Sequence, residues 1–115
     1  MIVKNFLEAK PISAVSHEGK GFVKNVTLFD AAEFSTNLSF MIYSELAPGT
    51  SIGYHTHGDN EEVYLILEGE GTMTVNGQSR KVVAGDVILN EPHWSHGLEN
   101  NSSSVLKLFV FEVKK

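Results

Sequence analysis

Gly49-Thr50-Ser51-Ile52-Gly53-Tyr54-His55-Thr56-His57-Gly58-Asp59-Asn60-Glu61-Glu62-Val63-Tyr64-Leu65-Ile66-Leu67-Glu68-Gly69 reads as two short strands joined by a polar turn. Residues two apart on a strand project to the same face, so His55 and His57 aim both imidazoles at one point in the interior. On the second strand Glu62, Tyr64 and Ile66 share one face, while Val63, Leu65 and Leu67 share the other. Glu62 and its neighbour Glu61 therefore point opposite ways, and only one of the two can join the histidines.

Outward from this stretch, further runs rich in Val, Ile, Phe, Tyr and Thr lie at 21–29, 38–45, 71–75, 78–83, 86–89 and 105–113, separated by evenly spread turn residues. Many short strands of this kind predict an all-β sandwich or barrel. The clearest hairpin joins 72–75 to 78–83 through Asn76-Gly77, a dipeptide that supplies the positive φ angles of a type I′ turn. Residues 30–34 allow one helical turn. Nothing longer reads as helical, and parallel α/β folds need crossover helices. No shift of composition marks a boundary, so one domain over residues 1–115 is expected.

Two strands are apolar on both faces: 62–67, and the last one, where Phe109, Phe111 and Val113 oppose Leu106, Leu108 and Val110. A sheet with one wet face alternates apolar with polar. An outer face is therefore covered, either by a second copy in a homodimer, which is the expectation here, or by the N-terminal segment at 2–7.

Four of the five histidines fall in two short segments, at 55–57 and 93–96. A borderline divalent ion takes imidazole nitrogens at about 2.0–2.1 Å and a carboxylate oxygen at a similar distance, so a His-x-His pair needs ligands from neighbouring strands. Glu62 and His96 are the natural candidates. His17, in a Gly-flanked polar stretch, reads as a surface residue. Tyr64 and Ile66 share the face of Glu62 and are expected to line a pocket or to pack the core.

With these residues the chain resembles a small single-domain cupin of the conserved-barrel group. The family's first motif is matched by Gly49, His55, His57, Glu62 and Gly69, and its second in part by Gly85, His96 and Asn100. The resemblance implies a jelly-roll, or double-stranded β-helix, barrel. It also implies a metal set of His55, His57, Glu62 and His96, with coordination positions left open for other ligands. The chain departs from the second motif at Glu91, where the family commonly has Pro (here Pro92 follows), and at His93, where it commonly has Gly. These positions, with Trp94, are expected in a turn near the barrel mouth, where His93 and Trp94 either line the entrance or form a solvated loop.

Composition limits what such a site can do. There is no cysteine, so disulfides, thiolate nucleophiles and Cys-ligated metals are excluded. The 14 acidic and 9 scattered basic residues give a net charge of -5, which disfavours nucleic acid. No run approaches the roughly 20 apolar residues of a membrane-spanning helix, and nothing at the N-terminus reads as a signal peptide, so a cytoplasmic location is expected. Gly49-Thr50-Ser51-Ile52-Gly53 matches a nucleophile elbow in letters but leads into a strand, where that motif needs a helix. Gly69-Glu70-Gly71 likewise lacks the helix of a dinucleotide fingerprint.

The expectation is a cupin that holds one divalent ion (Fe, Mn, Ni, Zn, Co or Cu) and acts on a small oxygen-bearing molecule as an oxygenase or isomerase, with Glu62 also passing a proton. The competing expectation is a non-catalytic module that binds a small ligand, with or without metal.

Overall fold

The computed structural model describes residues 1–115. The strands are β1 (Ile12–Ala14), β2 (Val23–Asp30), β3 (Leu38–Leu46), β4 (Ser51–Thr56), β5 (Asn60–Glu68), β6 (Glu70–Val75), β7 (Gln78–Val83), β8 (Val87–Asn90), β9 (Ser95–Glu99) and β10 (Leu106–Lys114). They form a six-stranded sheet in the order β1-β2-β3-β10-β5-β8 and a four-stranded sheet in the order β4-β9-β6-β7. All strand pairings within the two sheets are antiparallel. The strand pattern called for an all-β sandwich or barrel and the resemblance for a jelly roll, and the two antiparallel sheets form that barrel. No helix is long and apolar enough to cross a membrane.

The core lies between the sheets. Leu46, Leu106, Leu108, Ile66 and Leu98 are at most 1% exposed, and burial of each such side chain contributes about 1.5–3 kcal/mol. Period-two alternation explains the choice: on β10, Leu106, Leu108, Val110 and Glu112 are buried while the residues between them are not. The β6–β7 hairpin turns through Asn76 at φ 47° and Gly77 at φ 79°, with Val75 opposite Gln78. Residues 30–34 form a turn and no helix: the Asp30 carbonyl accepts from Glu33 N–H, and its carboxylate from Ala32 N–H.

Two strands were not visible in the apolar pattern. β1 is exposed along its whole length, so it carries no alternation. β9 has few apolar residues because its inward positions are His96 and Leu98 and its outward position is Gly97, whose backbone runs against that of Tyr54.

The outer face of the large sheet is covered in part by the chain itself. Phe6 lies 4.4 Å from Tyr43 and 4.9 Å from Phe109, ring centre to ring centre. The N-terminal segment stops there. Val87 and Leu89, at the other side of that sheet, remain 61% and 50% exposed.

Candidate metal centre

The fold brings four side chains, three from 55–62 and His96 from far along the chain, to one place between the sheets. His55 on β4 pairs in register with His96 on β9, both in the small sheet, and Glu62 enters from β5 of the large one. His57 follows the end of β4, where its N–H donates to the Trp94 carbonyl. A register irregularity between Ile52 and His55 precedes the His-x-His pair. At its centre is Gly53, where a Cβ would fall 1.9 Å from the His17 carbonyl oxygen. Only glycine admits this crossing. The Gly53 N–H donates to the Ser16 carbonyl at 3.0 Å, which ties the 16–18 segment across β4.

The crossing sets His17 over the centre. Its ring stacks on that of His55 at 3.5 Å and 5°. The residue is exposed, as a surface reading expects, but one face of its imidazole covers a candidate ligand. His57 in turn stacks on His96 at 4.6 Å and 11°.

His55 Nε2 is 2.9 Å from His57 Nε2, His96 Nε2 is 3.0 Å from Glu62 Oε1, and His57 Nε2 is 3.4 Å from that same oxygen. The four donor atoms all lie within 4.8 Å of one another. Ligands at right angles around an ion with bonds of about 2.0–2.1 Å are separated by about 2.9 Å, and tetrahedral ones by about 3.4 Å. The three short edges match this spacing.

The partners of the opposite ring nitrogens decide which protons are present. His55 Nδ1 donates to the Gly53 carbonyl at 2.6 Å, and a carbonyl only accepts. His57 Nδ1 donates to Asn60 Oδ1, also at 2.6 Å. Both protons therefore sit on Nδ1, and two Nε2 lone pairs face each other across 2.9 Å. Lone pairs so placed repel unless a cation lies between them. A metal-ligating histidine likewise donates its other N–H to a carbonyl or carboxylate.

Burial supports the neutral form. The His55 imidazole is pushed down to about 4, first by desolvation and then by neighbouring histidines, against the opposing pull of the Gly53 carbonyl. Desolvation lowers His17 as well. Tyr64, 2% exposed and edge-on to His96 at 5.2 Å, is held well above the ordinary phenol range by its burial.

Two polar neighbours escaped the reading of the sequence. Asn60, three residues after His57, orients that ring. Glu112 pairs in register with Glu62, and its Oε2 lies 3.9 Å from His57 Nδ1. Burial raises its carboxyl above the usual range, and the charge of Glu62 adds to that. The alternation of β10 carried the signal, since every second residue from Leu106 faces inward and the last of these is an acid.

Of the expected pocket residues, Ile66 lies in the core at 1% exposure and Tyr64 stands beside His96. Trp94 lines a cavity of about 580 Å³ bounded by β6, β7 and β8. His93 is exposed outside it at φ 67°, with Nε2 2.8 Å from Asp59, and its N–H donates to the Gly58 carbonyl. The Glu91–Trp94 turn, where the second motif departs, is thereby fastened to the loop after His57. A shallower hollow of about 300 Å³ lies over Tyr54, Thr74 and Gly97.

With fold and cluster in hand, comparison with known proteins decides the family. The cupin domain family matches residues 42–112. The chain belongs to the cupins. An oxalate-binding protein of Thermotoga maritima is 34% identical over 92 residues, which cover 80% of this cupin and 76% of that protein. The crystal structure of a predicted oxalate decarboxylase from Thermotoga maritima superposes with a TM-score of 0.96 at 29% identity, over 99% of this chain and 100% of that one. A cupin 2 conserved barrel domain protein from Salinispora arenicola shares the fold, with a TM-score of 0.73 at 19% identity over 96% and 91% of the two chains.

The neutral, buried His55 makes stability depend on pH. Its folded value of about 4 lies below the ordinary 6.5, so the unfolded chain binds the extra proton between those values. The stability it contributes is complete above pH 6.5 and is lost as pH falls toward 4. For protein dialysed against chelator, the urea midpoint is expected to fall from about pH 7 to about pH 4.5, and His55→Asn to flatten that fall. An equally steep fall in the variant would show that His55 is not the group responsible.

Proposed function

We propose that His55, His57, Glu62 and His96 hold one divalent ion, and that this cupin binds a small carboxylate-bearing molecule there and transforms it. The observation that carries the reading is the pair of Nε2 lone pairs directed at each other across 2.9 Å, with a carboxylate and a third imidazole beside them. The donor set suits iron, manganese, cobalt, nickel, copper or zinc. A bound ion would supply Lewis acidity or, if redox-active, dioxygen chemistry of the oxygenase type, while an isomerase reaction needs only the former.

The remaining work falls to the chain's own residues. Gly53 and Asn60 hold two rings with Nε2 inward, and His17 shields one face of His55. Glu62 is the group we assign to passing a proton. It faces Glu112, whose carboxyl is raised by burial and by the Glu62 charge and so accepts a proton more readily than an ordinary acid. The Thermotoga maritima relative named for binding oxalate supports a small oxyanion as ligand. Its name speaks of binding and not of turnover, which favours a non-catalytic binding module as the second reading.

The test is elemental analysis of untagged protein together with oxalate titration. Wild type is expected to hold near one equivalent of metal. His96→Ala and Glu62→Ala are expected to lose most of it and keep the β-sheet circular dichroism. Full metal content in both variants sinks the ligand assignment. Oxalate affinity that survives chelation undiminished replaces it with a metal-free binding barrel.

We also propose that a second copy covers the part of the large sheet that Phe6 does not reach, around Val63 and Leu65 of β5 and Val87 and Leu89 of β8. The exposure of Val87 and Leu89 supports this. Light scattering is expected to give the mass of a dimer, and Leu89→Lys that of a monomer. A wild-type monomer at high concentration overturns the proposal.

A further inference from the structure

The cavity of about 580 Å³ is lined by the chain's only arginine, Arg80, and by Val75, which pairs in register with His96; none of the four candidate ligands lines it. In register across the small sheet, His55 of β4 pairs with His96 of β9, His96 with Val75 of β6, and Val75 with Gln78 of β7. Those four residues form one cross-strand row. Arg80 pairs with Met73 in the next row on the same face. With strands about 4.8 Å apart and a repeat of about 6.8 Å along them, Arg80 stands about 12 Å from His96 between backbones.

The row lies on the core-facing side of the sheet, because Met73 and Val82, which alternate with or pair to these positions, are each 2% exposed in the core, but at the edge strand Gln78 and Arg80 are themselves exposed to solvent. β7 and β8 are the edge strands of their sheets, and the cavity of about 580 Å³ opens along the seam between them. Its apolar wall is Met73, Val75, Val82, Ile88 and Trp94, and Gln78 and Arg80 are polar residues on it.

Arg80 has no carboxylate within ion-pair distance. Its one hydrogen bond runs from Nε to the adjacent Lys81 carbonyl at 3.3 Å. Asp86, which shares an adjoining hollow, accepts from the Val83 N–H. The terminal nitrogens of the guanidinium are therefore free for a ligand, and a planar fork of donors fits a carboxylate two-pronged. The volume lies within the range of about 300–1,000 Å³ that holds ligands of drug size. Oxalate, with its two carboxylates joined directly, would leave most of it empty.

We propose that Arg80, assisted by Gln78, is the specificity determinant for a ligand longer than oxalate: an organic acid with an oxygen-bearing end at the metal centre, a short carbon body against the apolar wall, and a distal carboxylate on the guanidinium. This rests on the metal-centre reading above.

The test uses a matched pair of probes, 2-oxoglutarate and 2-oxopentanoate, which share a chelating end and differ in a distal carboxylate against a methyl group. Calorimetric titration of zinc-loaded wild type is expected to give about tenfold or greater preference for 2-oxoglutarate. In Arg80→Gln the preference is expected to vanish while 2-oxopentanoate affinity stays within about twofold, and Arg80→Lys is expected to restore part of it. A preference that persists in Arg80→Gln overturns the inference, as does equal binding of the two probes, or binding of neither, by zinc-loaded wild type. Zinc is assayed in the same samples. Wild type that takes up no zinc fails the metal-centre reading itself, whereas zinc-loaded protein that binds oxalate without the expected preference fails only the role of Arg80.

Discussion

Two nitrogen lone pairs held 2.9 Å apart in a half-buried site are the constraint on which the rest of this structure depends. Imidazoles in water turn away from such a contact. Here His55 is fixed by the Gly53 carbonyl and His57 by Asn60, so neither ring turns without leaving a proton unpartnered. His55 does not escape readily by taking a second proton, because desolvation holds it near 4. Such an arrangement is costly in the absence of a cation, and on the metal-centre reading proposed above a bound ion would relieve it and link folding of the barrel to occupancy of the site.

The two sheets divide the labour. The small sheet supplies the imidazoles, on β4 and β9 and just past the end of β4, whose register sets His55 opposite His96. The large sheet supplies Glu62, backed by Glu112 in register on β10. Because the donors come from both sheets, the centre forms only when the leucine-rich core between them has closed. At the seam of the edge strands β7 and β8 the lining changes from packed apolar side chains to Gln78 and Arg80.

Much of this was legible in the residues. The pairing of His55 with His57 follows from strand alternation, the choice of Glu62 over Glu61 from the motif the chain resembles, Asn76-Gly77 from its turn geometry, and the large core strands from their doubled apolar faces. What escaped the reading has physical reasons. The path of the chain that lays His17 on His55 depends on one missing Cβ at Gly53, and no periodicity records such a crossing. β9 was hidden because a strand whose inward positions include a histidine and whose outward position is a glycine loses its apolar signature. Glu112 was discoverable, since the alternation of β10 ends on it, but a single acid at the end of an apolar strand looks like the return to solvent. Arg80 lies on an exposed stretch of β7, and only register with β6 turns it inward.

The most direct test of the central claim is the tautomeric state of the histidines, read by long-range proton–nitrogen NMR on nitrogen-labelled protein with one equivalent of Zn²⁺. The account predicts that His55 and His57 carry their protons on Nδ1, and that the Nε2 resonances of His55, His57 and His96 shift together on zinc addition. Nε2-protonated His55 or His57, or Nε2 resonances indifferent to zinc, would contradict it.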